Sequence, residues 1–418
     1  MTTTDPAVGP LDPALLAQPR ALQTIDAIVA AGRAHAVLLA GDPGNGPLAA
    51  AARIAERVLC PNGGDDGCEV CQRVARQVHP DLIRIAPEGG SLAIDQVREV
   101  LEVVSRMPFE AAAQVVIIEA ADTLSSDNAA AGNSLLKALE EPVGRVVFVL
   151  VAQRPARILP TIRSRVIEVV FPPVPVAHIA AALTAEGIDA AQLAVATGLD
   201  IEGVARLARG DLQRARSIAT GGVAAARRAA LLPVLEQVAD GRSTPATLAQ
   251  AVLDQAGAVS DATAAAAEAE FARMLERMSA AEQRSFQSKS NEQGIEKRTN
   301  RRARRARVAE LRACLDELAG WWRDVLALHA GAPETVSNVD RLERLTQVAQ
   351  GPGGARAVAA LDAIDEADAR LLLNNADEPV TIAALAAELA ALAAGRIRAR
   401  RTIGAPSRTA TGYDLALG

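Results

Sequence analysis

Gly41-Asp42-Pro43-Gly44-Asn45-Gly46-Pro47-Leu48 spaces its glycines as a loop that wraps phosphates with backbone amides. Such a loop needs two further groups, a lysine on the β and γ oxygens and a Ser/Thr hydroxyl on Mg²⁺. Pro47 stands at the lysine position and Leu48 at the hydroxyl position. The chain's lysines are Lys137, Lys289 and Lys297, so none in the first third can substitute. A second position tells the same story. After Val115-Val116-Ile117-Ile118 an active enzyme would offer Asp-Glu, to hold the metal and polarise the attacking water; here the pair is Glu119-Ala120. The expectation is a loop that survives as structure, with Gly41, Gly44 and Gly46 shaping an amide cradle that is weak or empty, and ATP/Mg not hydrolysed by this chain. An ordinary glycine turn in an α/β protein is the alternative.

A second cluster has different chemistry. Cys60, Cys68 and Cys71 lie close together, and the last two form a C-x₂-C pair, which suits a metal site better than a disulfide framework. Cys314 lies far from them on a helical face and reads as a core residue. A third candidate is the pair of arginines in Leu159-Pro160-Thr161-Ile162-Arg163-Ser164-Arg165. In an extended segment both would point the same way, so spacing alone does not choose between them.

The elements that must position these groups follow from periodicity. Ala36 to Ala40, Val115 to Ile118 and Val146 to Val151 are short apolar strands; Leu48 to Leu59, Ile94 to Val104 and Ala129 to Glu140 read as helices. Apolar strands alternating with helices imply a parallel sheet covered on both faces. Phe171-Pro172-Pro173-Val174-Pro175 and Gly221-Gly222 read as joints. They divide the chain into an α/β unit over 1–172, a small helical unit over 173–221 and an all-α unit over 222–402, with a loose tail over 403–418. In the last unit Val308, Leu311, Leu315, Leu318, Trp322 and Val325 form one apolar stripe. Trp321-Trp322 reads as core packing.

These motifs together resemble one family, the bacterial clamp-loader AAA+ proteins of DNA polymerase III, in their delta-prime branch. The resemblance runs from about Leu22 to Val174. It is carried by His35-Ala36, the glycine loop, the cysteines with His79-Pro80-Asp81, and Val115 to Glu119. The most specific segments are Asn133-Ser134-Leu135-Leu136-Lys137-Ala138-Leu139-Glu140-Glu141-Pro142 and Thr161-Ile162-Arg163-Ser164-Arg165. The resemblance implies an AAA+ P-loop sheet domain, a helical lid and a C-terminal helical collar that holds a ring together. It implies a stator that is itself without ATPase activity, a subunit of the DNA-directed DNA polymerase III holoenzyme. Its partners would be the delta and gamma/tau subunits, with the sliding clamp and primed DNA reached through the complex.

In that family a Ser-Arg-Cys motif projects its arginine into a neighbour's ATP site. The matching positions are Ser164, Arg165 and Val166; the cysteine is absent but the guanidinium remains, which favours Arg165 over Arg163 as a trans arginine finger. Lys137, Glu140 and Glu141 match the family helix and fit equally a neighbouring subunit or solvent. The family also carries a four-cysteine zinc module. Cys60, Cys68 and Cys71 match it and Val74 stands at the fourth position, so zinc would need His79 or another donor. A loop with free thiols is the alternative.

Bulk properties bound the rest. The net charge of −6 argues against a surface that coats nucleic acid throughout. Lys297 to Arg307 is densely basic; a solvated helix start or insert is favoured over contact with DNA or an acidic partner. Met1-Thr2-Thr3-Thr4-Asp5-Pro6 lacks the basic and apolar regions of a signal peptide, and no run is pure enough to span a bilayer. The expectation is a soluble cytoplasmic protein with no membrane partner. Two rival functions remain: an active gamma/tau-type ATPase, and a DNA-binding module using the cysteine loop and basic segment.

Overall fold

The computed structural model describes residues 12–32, 35–64, 66–87, 91–124, 129–140, 144–276, 289–371 and 377–396. Met1 to Pro6, Glu141 and Pro142, and the 403–418 tail lie outside the described residues. Five strands form one parallel sheet: β1 (Ala36–Ala40), β2 (Leu82–Ile85), β3 (Gln114–Ile118), β4 (Val146–Ala152) and β5 (Ile167–Val170). Their order is β2-β3-β4-β1-β5, with Leu38 paired to Leu150 on one side and Glu168 on the other. Intervening helices are α1 (Pro13–Leu16), α2 (Pro19–Ala30), α3 (Pro47–Leu59), α4 (Glu69–Ala75), α5 (Ile94–Val104), α6 (Ala129–Glu140) and α7 (Pro160–Arg163).

The period-2 alternation of the strands makes two cores. Leu38, Val116, Ile118, Phe148 and Leu150 pack with Val97 and Val100 of α5 and Leu135 and Leu139 of α6. The alternate residues Val37, Leu39, Val115, Ile117, Val149 and Val151 pack with Ile25 of α2 and Ile54 of α3. Each fully buried side chain of this size stabilises by about 1.5–3 kcal/mol before entropy is subtracted. Burial on both faces fixes β1, and with it the glycine loop that leaves its carboxyl end.

Beyond the Pro172-Pro173 joint come four short helices, α8 (Val176–Ala185), α9 (Ala190–Thr197), α10 (Ile201–Leu207) and α11 (Leu212–Ala219), around a separate core of Ile179, Leu183, Val204 and Leu212. Three of them start at an aspartate. Asp189, Asp200 and Asp211 each accept a hydrogen bond from a first-turn backbone N–H, a cap worth about 1 kcal/mol.

The remainder is helical: α12 (Val223–Ala239), α13 (Pro245–Glu276), α14 (Lys289–His329), α15 (Leu342–Gln350), α16 (Ala357–Leu371) and α17 (Glu378–Ala393). The stripe from Val308 to Val325 is buried, as are Trp321 and Cys314. This is an α/β fold built on one parallel sheet, with a helical C-terminal region. Among the described residues no single helix is long and apolar enough to cross a membrane.

Ion pairs tie the three regions together. Arg209 pairs with Asp316 of α14, and Arg214 reaches Asp316 at 3.2 Å and Glu317 at 2.5 Å. Asp368 of α16 takes Arg154 at 2.5 Å and Arg312 at 2.9 Å. Arg227 of α12 makes a two-pronged pair with Glu310, at 2.8 and 2.9 Å, and both are buried. Removing one member of such a pair strands the other charge. Glu310→Ala is expected to lower unfolding free energy in urea by about 3–5 kcal/mol, and Arg227→Met with Glu310→Leu to recover most of that loss. Equal losses in the single and double variants would contradict the assignment.

Candidate functional site

The glycine loop leaves β1 as a single 3₁₀ turn, Pro43–Asn45, and enters α3 through Gly46 at φ 98°. Pro47 is the first residue of α3, where a fixed φ suits the helix and no N–H is required. The shape of a phosphate loop is therefore kept. Other segments of the chain pack close against its glycines. A Cβ on Gly41 would lie 2.6 Å from the Phe171 carbonyl oxygen, and one on Gly44 only 1.7 Å from Oδ1 of Asp211. A Cβ on Gly46 would sit 3.2 Å from the Leu15 backbone nitrogen. Burial raises the Asp211 carboxyl above the usual carboxylate range; backbone N–H groups and Arg214 oppose this, and nearby Asp42 adds to it.

The position after β3 has been put to another use. Glu119 is nearly buried and pairs with Arg84 of β2 at 2.5 Å and with Arg305 of α14 at 2.9 Å. Ala120 follows in the left-handed region at φ 50°. Glu119 thus joins the sheet to the C-terminal helices.

Arg165 follows α7. Its Nη2 lies 2.6 Å from Oε1 of Glu140 at the end of α6. Its Nη1 donates to the Thr161 carbonyl at 2.8 Å and to the Ser164 hydroxyl at 3.1 Å. The side chain remains 37% exposed. Arg163 pairs instead with Glu168 at 3.1 Å. An extended segment would have aimed both the same way; residues 160–163 form a helical turn, so the two arginines go to different acids. Lys137 is exposed on α6.

The three cysteines meet. Cys60 and Cys68 sulfurs are 3.6 Å apart and those of Cys68 and Cys71 are 3.7 Å apart. Asp66 completes the group as a candidate fourth donor: its Oδ1 lies 3.1 Å from Cys71 Sγ and 3.8 Å from Cys60 Sγ. With Zn–S near 2.3 Å and Zn–O near 2.0 Å, a tetrahedron has edges of about 3.8 Å between sulfurs and about 3.5 Å between sulfur and oxygen. The donor set fits a metal such as zinc. Hydrogen bonds from Asn62, Cys71 and Cys68 hold the Asp66 carboxyl well below the usual range, while burial pushes the Cys71 thiol up.

His79 is not the fourth donor. Its Nε2 faces Glu110 at 3.0 Å and its Nδ1 accepts the Asp81 N–H at 3.2 Å. The Asp81 carboxylate accepts the backbone N–H groups of Phe109, Glu110 and Ala111 at 2.6, 2.9 and 2.8 Å. Val74 is core. Asp66 carried a signal all the same, an acid two residues before Cys68 inside the cysteine loop.

The basic run lies on α14, and three of its arginines turn back onto the chain. Arg302 pairs with Glu270 at 3.1 Å, Arg305 with Glu119, and Arg307 with Glu378 at 2.8 Å.

Residues 17–175 match the family described as "DNA polymerase III, delta subunit". The "DNA polymerase III subunit delta'" of Pseudomonas aeruginosa is 37% identical over 148 residues, 34% of this chain and 44% of that protein. The protein of the same description from Bacillus subtilis is 36% identical over 160 residues, 37% of this chain and 48% of its own length. The chain therefore spans less than half the length of these relatives. A solved gamma subunit-related protein from Thermotoga maritima overlays 88% of this chain and 99% of its own at 19% identity; the TM-score of 0.36 is too low to equate the two arrangements.

Proposed function

We propose, from the similarity of residues 17–175 to delta-prime subunits of DNA polymerase III, that the chain is the stator subunit of a replicative clamp loader in the cytoplasm. In this reading it turns over no ATP and lends Arg165 to a neighbouring gamma/tau ATP site. It comprises an AAA+ unit to residue 172, a lid over 173–221 and a collar over 222–402, and works in a ring with delta and gamma/tau subunits. The sliding clamp and primed DNA are met through that assembly.

One contrast carries the reading. Arg165 is held partly exposed at the end of the α/β unit, while Pro47, Leu48 and Ala120 stand where this chain's own chemistry would need a lysine, a hydroxyl and a carboxylate. An active motor would need those groups. A DNA-binding module would draw on the basic segment, where Arg305 and Arg307 pair with Glu119 and Glu378 of this chain.

Glu140 stretches the guanidinium in one direction, and the Ser164 hydroxyl and Thr161 carbonyl steady its other nitrogen. On docking, the guanidinium exchanges Glu140 for phosphoryl oxygens and meets charge as it develops there. Such a finger is worth ~10³–10⁵ in rate, or roughly 4–7 kcal/mol. Ser164 acts as a positioning residue.

The cysteine cluster in this reading holds one zinc ion through Cys60, Asp66, Cys68 and Cys71. The metal would cross-link the loop between α3 and α4 as a structural tie. Purified full-length protein is expected to carry one zinc per chain by elemental analysis, and Cys68→Ser to lose it. Asp66→Ala should weaken retention against a chelator by roughly tenfold or more. A well-folded wild-type protein with no metal would contradict the site.

In a loader reconstituted from full-length subunits, Arg165→Ala should leave assembly and melting temperature unchanged. It should slow DNA- and clamp-stimulated hydrolysis at the site it serves by roughly 10³-fold. Arg163→Ala should change little. Undiminished hydrolysis in the assembled Arg165→Ala complex would overturn the role.

A further inference from the structure

We infer that the vestigial glycine loop has become the seat of an internal lock, in which Asp211 of the lid fills the space at Gly44 that a nucleotide's phosphates would occupy. The lock deepens the stator reading and rests on it for its consequence, though its geometry stands apart from Arg165.

Three contacts define it. The first is the close approach of Asp211 to Gly44, where a Cβ would come within 1.7 Å of Oδ1 and 2.1 Å of the carboxyl carbon. That carboxyl is not free to swing aside, because the same Oδ1 accepts the Arg214 backbone N–H at 2.8 Å as the cap of α11. The second is at Gly210, which has φ +90° and would place a Cβ 2.4 Å from Pro173 Cβ. Its carbonyl accepts the Val174 N–H at 3.0 Å, so the lid corner is clamped to the joint.

The third contact ties the joint to the loop. The Gln18 side-chain amide donates to the Pro172 carbonyl at 2.7 Å and to the Asn45 carbonyl at 3.4 Å, and Asn45 Nδ2 donates to the Phe171 carbonyl at 3.4 Å. Loop, joint and lid corner are one packed node.

Electrostatics reinforces the sterics. The Asp42 carboxylate adds to the rise that burial imposes on Asp211, Arg214 opposes it, and no lysine at position 47 offsets the acids. The glycines of the motif thereby acquire a second reason to be glycine. Gly41 admits Phe171 and Gly44 admits Asp211, both from this chain. The angle between lid and α/β unit is set by packing rather than by a bound nucleotide, which is what a stator requires.

The test is a double-mutant cycle on the full-length chain, read by melting temperature and by amide exchange over residues 171–175 and 210–219. Gly44→Ala puts a methyl group into the capped carboxyl, and overpacking of that kind destabilises. It should lower the melting temperature and speed exchange at both segments by roughly tenfold or more. Asp211→Ala removes the obstacle and the cap, so it should also destabilise alone, but adding Gly44→Ala to it should cost almost nothing further. Should Gly44→Ala fail to fold, recovery of folded protein in the double variant supports the lock and failure to recover overturns it. Additive losses, or unchanged exchange at 210–219 in Gly44→Ala, also overturn it. None of these readings involves hydrolysis, so they stand or fall separately from the role of Arg165.

Discussion

A glycine loop holds a polyphosphate because backbone amides act together with a cation, and at position 47 this chain replaces the cation with a proline ring. The substitution spares the fold, since proline is at home in the first turn of α3. It leaves the loop without a lysine. What remains is a strand, a tight turn and a helix whose interior surface is available for other packing. Against its glycines the chain packs the Phe171 backbone, the Asp211 carboxyl and the α1 backbone at Leu15.

The same reassignment recurs one strand away. Where a hydrolytic site would place a metal-holding acid, Glu119 faces Arg84 and reaches α14 through Arg305. Asp368 of α16 gathers Arg154 from the turn after β4 and Arg312 from α14. Both links join the sheet to the C-terminal helices across large separations in sequence. Partly buried pairs of this kind contribute little net stability but are costly to break on one side only. They favour one relative placement of the regions over others. The basic segment, which by composition alone invites a nucleic-acid reading, supplies one of these cations, Arg305.

Much of the α/β unit was legible because its central strands are buried on both faces and read as plain apolar runs. Ala36 to Ala40, Val115 to Ile118 and Val146 to Val151 are all seen as strands. The edge strands were not. Leu82-Ile83-Arg84-Ile85 and Ile167-Glu168-Val169-Val170 are four residues each and carry charges, so they lack the pattern of a buried strand. Pairing of Arg165 with Glu140 joins two motifs that the sequence presents separately. Asp66 escaped because the cysteine spacing directs attention to the next thiol or imidazole. Asp211 escaped for a deeper reason: a contact between residues 44 and 211 exists only once the four short helices α8 to α11 pack against the α/β unit, and no local pattern announces it.

The account depends on the chain's own loop being closed to nucleotide. Equilibrium titration of Mg·ATP into the isolated full-length protein, with phosphate release followed in the same sample, addresses this most directly. No saturable heat and no release above background is the predicted outcome. Saturable magnesium-dependent binding accompanied by steady turnover in the absence of any other subunit would contradict it.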